Sequence, residues 1–358
     1  MFRCFITFLL LLLPISAFST GFHNNEFVAF HQIKKGKSAY YKGDYKLAKA
    51  LFLEAADYDF KEAFHYLGLI YQNGLGGEIN YAKAKTWYAK AAQIGHVKSQ
   101  IELGYFYYSG LGGEQDFKTA LHWFRKAAAQ ESSLALRNLA LMHKNGQGVS
   151  RDMDIAIDLF FDAADKGDID SLMHLGLIFY NEPNYIDLEQ SLHWFKMAAF
   201  RGNEEAQYNV AIHYWTGKGV EKDDKSAFEW FATAARNGST ASKFYLGLFY
   251  SEGIGVLKDI EHAVYWYQKA AEQGYIEAYT SLGDLYFNGP KNSLCDENAL
   301  SCYEKAKYWY ELGLKHELKG AQLGLGSMYL DGLGVPKELS SAIHWLAKET
   351  NQNTVGAQ

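Results

Sequence analysis

A sequence pattern returns about every 36 residues along this 358-residue chain, and this period constrains the fold more than any other feature. Its first marker is a small residue after Leu or Val, and successive markers are 36, 36, 36, 35, 36, 36 and 43 residues apart. These small residues are Gly68, Gly104, Ala140, Gly176, Ala211, Gly247, Gly283 and Gly326. A second marker keeps the same register, at Trp87, Trp123, Leu159, Trp194, Trp230, Trp266, Trp309 and Trp345. Two markers with one period predict tandem copies of a single supersecondary unit.

Each unit is predicted to contain two helices, which we call helix A and helix B. Helix A carries the small marker, and an aromatic residue or histidine follows it by three positions, which places both on one helical stripe. A glycine inside a helix costs about 1 kcal/mol relative to alanine, so its recurrence predicts a close approach of a neighbouring helix. Gly-x-Gly turns such as Gly146-Gln147-Gly148 end helix A. Helix B then begins after a capping residue, which is Asn80, Asp116, Asp152, Asp187, Asp223 or Asp259.

An additional pair is predicted at the N-terminal side, with helices over residues 33–42 and 45–57. The predicted fold is therefore all-α, a right-handed α/α superhelical solenoid of about nine antiparallel helix pairs over residues 30–350. Composition agrees with helices packed on helices, because the chain has 26 Tyr, 23 Phe and 8 Trp but only 4 Pro. Its net charge of −6 argues against a nucleic-acid binder, which needs a basic stripe.

The first residues have the features of a secretory signal peptide. Arg3 supplies the positive start and residues 4–13 are apolar, which is well short of the ~20 residues that cross a bilayer. Cleavage is predicted after Ser19, so residues 1–19 form the signal peptide, 20–29 an N-terminal tail of the mature chain and 351–358 a polar C-terminal tail. Export to the periplasm is expected, and the cell surface, the medium or the endoplasmic-reticulum lumen remain alternatives.

Two cysteines, Cys295 and Cys302, remain after this cleavage. Two thiols close in sequence favour a disulfide bond in an oxidising compartment, and two buried free thiols are the alternative. They lie in the penultimate unit, which has seven extra residues. A bond would connect this enlarged turn to the start of its helix B.

The repeat resembles that of the Sel-1-like repeat family, a branch of the tetratricopeptide-like solenoids. The likeness is plainest in Ala278–Tyr286 for helix A, Gly253–Asp259 for the turn and Tyr265–Ala271 for helix B. It covers about 320 residues. It implies a helical solenoid and a scaffold, adaptor or binding role without catalysis.

Searches for chemistry in the sequence find no catalytic motif. No Ser is followed by Lys three positions later, and Gly-x-Ser-x-Gly, His-Glu-x-x-His and the phosphate-binding Gly-x-x-x-x-Gly-Lys are absent. Three of the twelve histidines, His122, His193 and His344, repeat at one position, which indicates packing or a solvated face in preference to metal ligation. No catalytic residue, cofactor or metal is therefore predicted.

Helix A lines the concave face of tetratricopeptide-like arrays, so the resemblance implies a partner-binding surface there. Aromatic, amide and basic residues at exposed helix-A positions suit binding, because they combine contact area with directional hydrogen bonds. The candidates are Tyr66, Tyr105, Tyr108, Arg137, Asn138, His174, Tyr180, Tyr208, Asn209, Trp215 and Tyr245. About half of the candidate aromatics are expected to be core residues between repeats instead.

We therefore expect an exported adaptor that binds a protein or peptide along the helix-A face, with no membrane span after cleavage. One alternative is an envelope glycan, peptidoglycan or exopolysaccharide, held by the tyrosines. A remote alternative is a hydrolase that binds β-lactams, since cysteine-rich members of the resembling family have been described in such terms.

Overall fold

The computed structural model describes residues 20–289, 294–295 and 299–355, and within them the chain forms eighteen α-helices and no strand. They are α1 Thr20–Tyr41, α2 Tyr45–Ala56, α3 Lys61–Gln72, α4 Tyr81–Gln93, α5 Val97–Ser109, α6 Phe117–Ala128, α7 Ser133–Asn145, α8 Met153–Asp165, α9 Ile169–Asn181, α10 Leu188–Phe200, α11 Glu204–Thr216, α12 Asp224–Arg236, α13 Thr240–Glu252, α14 Ile260–Glu272, α15 Glu277–Phe287, α16 Ala299–Leu314, α17 Lys319–Asp331 and α18 Leu339–Val355. Odd-numbered helices are helix A of each pair and even-numbered helices are helix B. This confirms the predicted all-α, solenoid-type repeat fold.

A glycine in helix A receives an aromatic ring of helix B in most pairs. At Gly104 a Cβ atom would lie 2.7 Å from the ring of Phe124, and at Gly176 it would lie 2.6 Å from Phe195. The ring always belongs to the residue after the second sequence marker, as Phe124 follows Trp123. Close ring packing therefore explains why helix A keeps a residue that weakens helices.

The first pair has the same glycine-to-ring packing, although the residue before its glycine is neither Leu nor Val. A Cβ atom at Gly36 would lie 2.7 Å from the ring of Phe52, so Gly36 is the helix-A glycine of α1. Lys35 precedes it where the other units have Leu or Val, which is why the sequence marker does not reveal this position.

The predicted caps are confirmed in six helices. Asn80, Asp116, Asp152, Asp187, Asp223 and Asp259 each accept a hydrogen bond from a backbone N–H in the first turn of the following helix B. In the turn after α7, Gly146 has a φ of 68° and ends the helix. Gly148 has a φ of 72°, and a Cβ atom there would lie 2.7 Å from the backbone of Phe117 in the preceding helix B. The second glycine thus lets successive pairs approach each other.

The helices form two compact units, the first ending at Asp168 and the second beginning at Ile169. Amide side chains link successive pairs inside each unit. In the first, Gln100 donates to the carbonyl oxygen of Ala92 (3.1 Å) and accepts from Gln130 (2.8 Å). In the second, Gln207 makes the same pair of bonds, with Ala199 (3.1 Å) and Asn237 (2.9 Å).

Both predicted tails contain helical residues. The segment 20–29, predicted as a tail, lies within α1, where Ala29 is fully buried. The predicted signal peptide lies outside the described residues. At the other end α18 extends to Val355, which places residues 351–355 of the predicted C-terminal tail in a helix.

Cys295 and Cys302 form a disulfide, with their Cα atoms 5.8 Å apart. The bond connects the enlarged turn to α16, as the sequence predicts. Cys302 is fully buried, and it lies against Gly289 at the end of α15.

Reduction of this disulfide is expected to lower the free energy of unfolding by about 2 kcal/mol, because the short closed loop regains conformational freedom in the unfolded chain. Urea denaturation of the chain from Thr20 onward, with and without reductant, measures the difference. The variant Cys295→Ala is the control, since its midpoint should not respond to reductant. An equal response of the variant and the parent would contradict the prediction.

Candidate functional site

A polar cavity of about 360 Å³ opens on the helix-A side of the first unit. Three successive helix-A segments contribute to it, namely α1, α3 and the start of α5. Its lining residues are Lys37, Tyr40, Tyr41, Glu62, His65, Tyr66, Leu69, His96 and Lys98. Residues from three consecutive repeats therefore face one space.

The charged groups of this cavity are not paired with one another. Neither Lys37 nor Lys98 forms an ion pair with any carboxylate of the described residues, and Glu62 likewise has no ion-pair partner there. The ammonium group of Lys37 lies 5.5 Å from the ring centroid of Tyr66. Two cations and one anion leave the lining with a net positive charge.

Two histidines share a buried serine at the back of the cavity. The Nδ1 atom of His65 lies 3.0 Å from Ser99 Oγ, and Nδ1 of His96 lies 2.9 Å from the same atom. The backbone N–H of Ser99 also donates to Nδ1 of His96 (3.2 Å), so this nitrogen is an acceptor. Ser99 is fully buried, which closes its hydroxyl to solvent.

Burial lowers the pKa of both imidazoles. The pKa of His65 falls from 6.5 to about 3, first through burial and then through the charges of His96, Lys98 and Lys37. Burial is also the main cause of the lowered pKa of His96. Both rings are neutral at pH 7, so the positive charge of the cavity comes from its lysines.

His65 makes the stability of the first unit depend on pH with a defined sign. The unfolded chain binds a proton below pH 6.5 that the folded chain does not accept until pH falls to about 3, so stability is lost as pH falls between these values. Between pH 7 and pH 5 we expect a loss of about 2 kcal/mol from this group. Urea denaturation at both pH values should show a correspondingly smaller loss in His65→Gln. Equal losses in parent and variant would contradict the assignment.

Tyr66 belongs to both the cavity and the core. Its ring stacks on Phe52 with centroids 4.8 Å apart, and its hydroxyl lies 3.2 Å from that of Tyr41. Burial is the first cause of the raised pKa of Tyr66, followed by the hydrogen bond with Tyr41. Tyr41 itself is 76% exposed and is the most accessible aromatic ring of the cavity.

The remaining candidates of the first unit are dispersed. Tyr105 is 50% exposed. Tyr108 donates to Gln147 in the turn of the next repeat (3.1 Å). Arg137 binds Asp168 at 3.0 Å, which links α7 to the connection between α8 and α9. Tyr108 therefore links two repeats and Arg137 joins the two ends of one repeat, and Asn138, next to Arg137 in sequence, is half-buried.

In the second unit three candidates come together, because Tyr208 and Trp215 both pack against Tyr245. Phe231 is fully buried, and Tyr245 stacks on it with centroids 5.1 Å apart. Tyr208 lies 5.8 Å from Phe231 and 5.7 Å from Tyr245, while Trp215 lies 5.5 Å from Tyr245. Burial raises the pKa of the Tyr208 hydroxyl, and the hydrogen bond with Tyr245 raises it further. We call Tyr208, Trp215 and Tyr245 the aromatic cluster.

The contacts of Tyr180 are with Lys218 and His213. Lys218 donates to its hydroxyl at 2.7 Å and places its ammonium 4.8 Å from the ring centroid. His213 packs against the same ring at 5.5 Å. His174 and Asn209 are half-buried.

Sequence reasoning identified Tyr66 but missed most of the cavity in the first unit. Lys37 and Tyr40 lie one and four positions after Gly36, as the candidates Tyr105 and Tyr108 do after Gly104. Recognition of Gly36 as a helix-A glycine would have found them. Glu62 and Lys98 lie outside those positions, so the pattern carries no signal for them.

Within the residues that the structure describes, no group of three or more His, Cys, Asp or Glu side chains is arranged to hold a metal ion. In the same part of the chain, every helix is too short or too polar to span a membrane.

Eight consecutive segments of the chain match the sequence model of the Sel1 repeat. They are residues 61–96, 97–132, 133–168, 170–203, 204–239, 240–275, 276–315 and 320–348. These segments together cover most of the chain. No curated protein sequence matches it significantly.

Solved structures of repeat proteins resemble the chain along much of its length. One is a protective antigen present in uropathogenic Escherichia coli strains and displaying an SLR fold, with 28% identity and a TM-score of 0.68, over 91% of this chain and 77% of that one. Another is a Sel1 repeat protein from Oxalobacter formigenes, with 29% identity and a TM-score of 0.58, over 71% of this chain and all of that one.

Proposed function

Because the chain belongs to the Sel1 repeat family, we propose that it is an exported adaptor that binds a protein or peptide along the helix-A side of its repeats. Sel1-repeat proteins generally act as protein-interaction scaffolds, and the repeat is a non-catalytic scaffold fold. The residues of the site determine which partner it binds.

The observation that carries this proposal is the cavity shared by α1, α3 and α5. An extended polypeptide advances about 3.3 Å per residue, so a short segment crossing several repeats can enter one common cavity. Lys37 and Lys98 offer cations without ion-pair partners among the described residues, and the hydroxyl groups of Tyr40 and Tyr41 offer directional hydrogen bonds. Neutral imidazoles at the back add polarity without further charge.

The aromatic cluster supports the same reading in the second unit. Tyrosine and tryptophan supply large contact areas at a small cost in conformational entropy. Phe231 holds the ring of Tyr245 by stacking at 5.1 Å, so this ring is already ordered before a partner binds. Ordered aromatic side chains reduce the entropy lost on association.

Export rests on the sequence of residues 1–19, and the proposal includes cleavage after Ser19. Expression of the full chain in a Gram-negative bacterium, followed by fractionation and N-terminal sequencing, tests it. A periplasmic product that begins at Thr20 supports export. A cytoplasmic product that retains Met1 contradicts it.

An affinity pull-down from the native envelope fraction tests partner binding. We compare the parent with the double variant Tyr41→Ala/Lys98→Ala, whose two side chains line the cavity and lie at its surface. Truncation of contact residues typically costs more than about 1 kcal/mol at important positions, so recovery of the polypeptide should fall at least about fivefold.

The matched control is Tyr58→Ala/Lys46→Ala, which removes the same side-chain types from exposed positions outside the cavity. The control should recover the partner as the parent does. Equal recovery by the cavity variant would refute this site. Recovery that disappears after muramidase treatment would identify a glycan in place of a polypeptide.

A further inference from the structure

Tyrosines that follow the helix-A marker by three positions repeatedly carry a lysine over the ring. Ammonium groups lie 4.3 Å from the ring centroid of Tyr71, 3.8 Å from Tyr107, 4.9 Å from Tyr214 and 5.3 Å from Tyr286. The lysines are Lys49, Lys85, Lys196 and Lys305. A cation within about 6 Å of a ring centroid is attracted by the negative face of the ring.

Tyr250 occupies the same repeat position and has no lysine over its ring among the described residues. The imidazole of His262 stacks on this ring instead, with centroids 5.0 Å apart. Lys83, whose ammonium lies 5.5 Å from the ring centroid of Tyr71, and Lys305 both lie four positions before the tryptophan of helix B, and His262 occupies the same position in its unit. At this repeat position an imidazole ring therefore stands where two other units place an ammonium group.

An open cavity of about 490 Å³ lies at this point, and we call it the α14 pocket. It is lined by Tyr250, Glu261, His262, Tyr265 and Trp266. Tyr265 is 50% exposed and stands nearly perpendicular to Trp266, with centroids 5.1 Å apart and an interplanar angle of 79°. Four of its five lining residues therefore carry aromatic rings.

Among its lining residues the α14 pocket has one Asp, Glu, Lys or Arg side chain, the carboxylate of Glu261. Glu261 has no ion-pair partner among the described residues. Asp259 accepts a hydrogen bond from Nδ1 of His262 at 2.7 Å. Lys269, the lysine of this helix, is paired with Glu272 at 2.7 Å and does not line the pocket.

We propose that the α14 pocket binds an organic ammonium group, held over the rings of Tyr265 and Trp266 beside the carboxylate of Glu261. Aromatic walls and one unpaired carboxylate are the features that recognise quaternary ammonium and lysine-type cations. This inference goes beyond the proposed function, because it concerns α13 and α14 and does not depend on the helix-A cavity of the first unit.

The lining favours a cation over a sugar. A sugar ring needs several hydrogen-bonding partners in addition to an aromatic platform, since unpaired polar groups are costly to bury. Among the described residues the lining has one carboxylate, Glu261, and no amide side chain, and His262 already donates to Asp259, so the paired carboxylates or amides typical of a sugar site are not present there. Ammonium groups with methyl substituents need charge and ring faces but few directional bonds.

Nuclear magnetic resonance titration with choline tests the proposal, and 3,3-dimethylbutan-1-ol serves as its neutral isostere. Choline should shift the side-chain resonances of Tyr265 and Trp266, and the isostere should bind at least about fivefold more weakly, which corresponds to a loss of about 1 kcal/mol. A blocked Gly-Lys-Gly peptide distinguishes a partner lysine from a free quaternary amine. Equal binding of the two isosteres, or tighter binding of N-acetylglucosamine, would overturn the proposal.

Substitutions on α14 separate the contribution of the carboxylate to choline binding from that of the aromatic rings. Glu261→Gln should weaken choline binding severalfold through loss of its charge, and Tyr265→Leu should do so through loss of a ring face. Glu272→Gln removes the same charge from the same helix outside the pocket and should leave binding within about twofold of the parent. His262→Lys restores the lysine found in other units and should block choline. Unchanged binding in His262→Lys or in Glu261→Gln contradicts the proposal.

Discussion

Replacement of Phe231 with alanine is expected to lower the free energy of unfolding of the second unit by about 4 kcal/mol, because truncation of a buried phenylalanine leaves a cavity. Phe231 is fully buried. Its ring packs against Phe249 at 5.2 Å and against Tyr245 at 5.1 Å. Loss of the Phe231 ring should therefore also disorder the aromatic cluster. The stability of this repeat and the order of the proposed binding surface thus depend on the same side chain.

Phe200→Ala is the matched control for this substitution. Phe200 lies in the same unit but is 76% exposed, and its ring contacts Trp230 at 5.6 Å. A loss below about 1 kcal/mol is expected there. Hydrogen exchange of the α11–α13 amides measures both effects locally, which is necessary because repeat arrays need not unfold in one step. Equal protection in the two variants would show that Phe231 does not organise this repeat.

Replacement of Gly104 with leucine is expected to destabilise the first unit by about 3 kcal/mol through overpacking. A Cβ atom at this position would already lie 2.7 Å from the ring of Phe124, which is itself buried. The remaining atoms of leucine have no space without displacement of α6 from α5. Gly77→Leu is the control, since a Cβ atom at Gly77 meets no atom within 4 Å.

Gly104→Ala should be far milder, within about 1 kcal/mol of the parent, because the gain in helix propensity offsets part of the crowding. The chain itself provides the precedent, since Ala140 and Ala211 occupy the same repeat position and are fully buried. Urea denaturation and hydrogen exchange of α5 and α6 distinguish the variants. A leucine variant as stable as the alanine variant would contradict the packing account.

The repeat period made the helices predictable. Spacing identified the helix pairs, and side chains such as Asp116 and Asp223 identified the starts of helix B because a carboxylate can accept orphan amide hydrogens there. The recurring glycine predicted a close contact but not its partner. The partner is the aromatic residue after the tryptophan, and only the packing of helix B against helix A shows which ring fills the space.

The candidate sites were less predictable, because they combine residues from several repeats. Tyr245 and Tyr105 are both helix-A tyrosines within two positions of the small marker residue. Tyr245 nevertheless stacks on a buried ring, while Tyr105 is half exposed. Lys37 and Lys98 lie 61 residues apart, and nothing in the repeat period indicates that they line one cavity. The predicted candidates therefore stay predictions as binding residues, while their surroundings are now defined.

Site-specific photo-cross-linking tests the central claim most directly, with a photoreactive phenylalanine placed at Tyr41 or Tyr105 on helix A and at Tyr58 or Tyr308 elsewhere. All four positions are exposed, so accessibility alone does not separate them. Helix-A binding predicts that the same polypeptide is captured from the envelope fraction at Tyr41 and Tyr105 and not at the other two. Capture of that polypeptide only from Tyr58 or Tyr308 would contradict it.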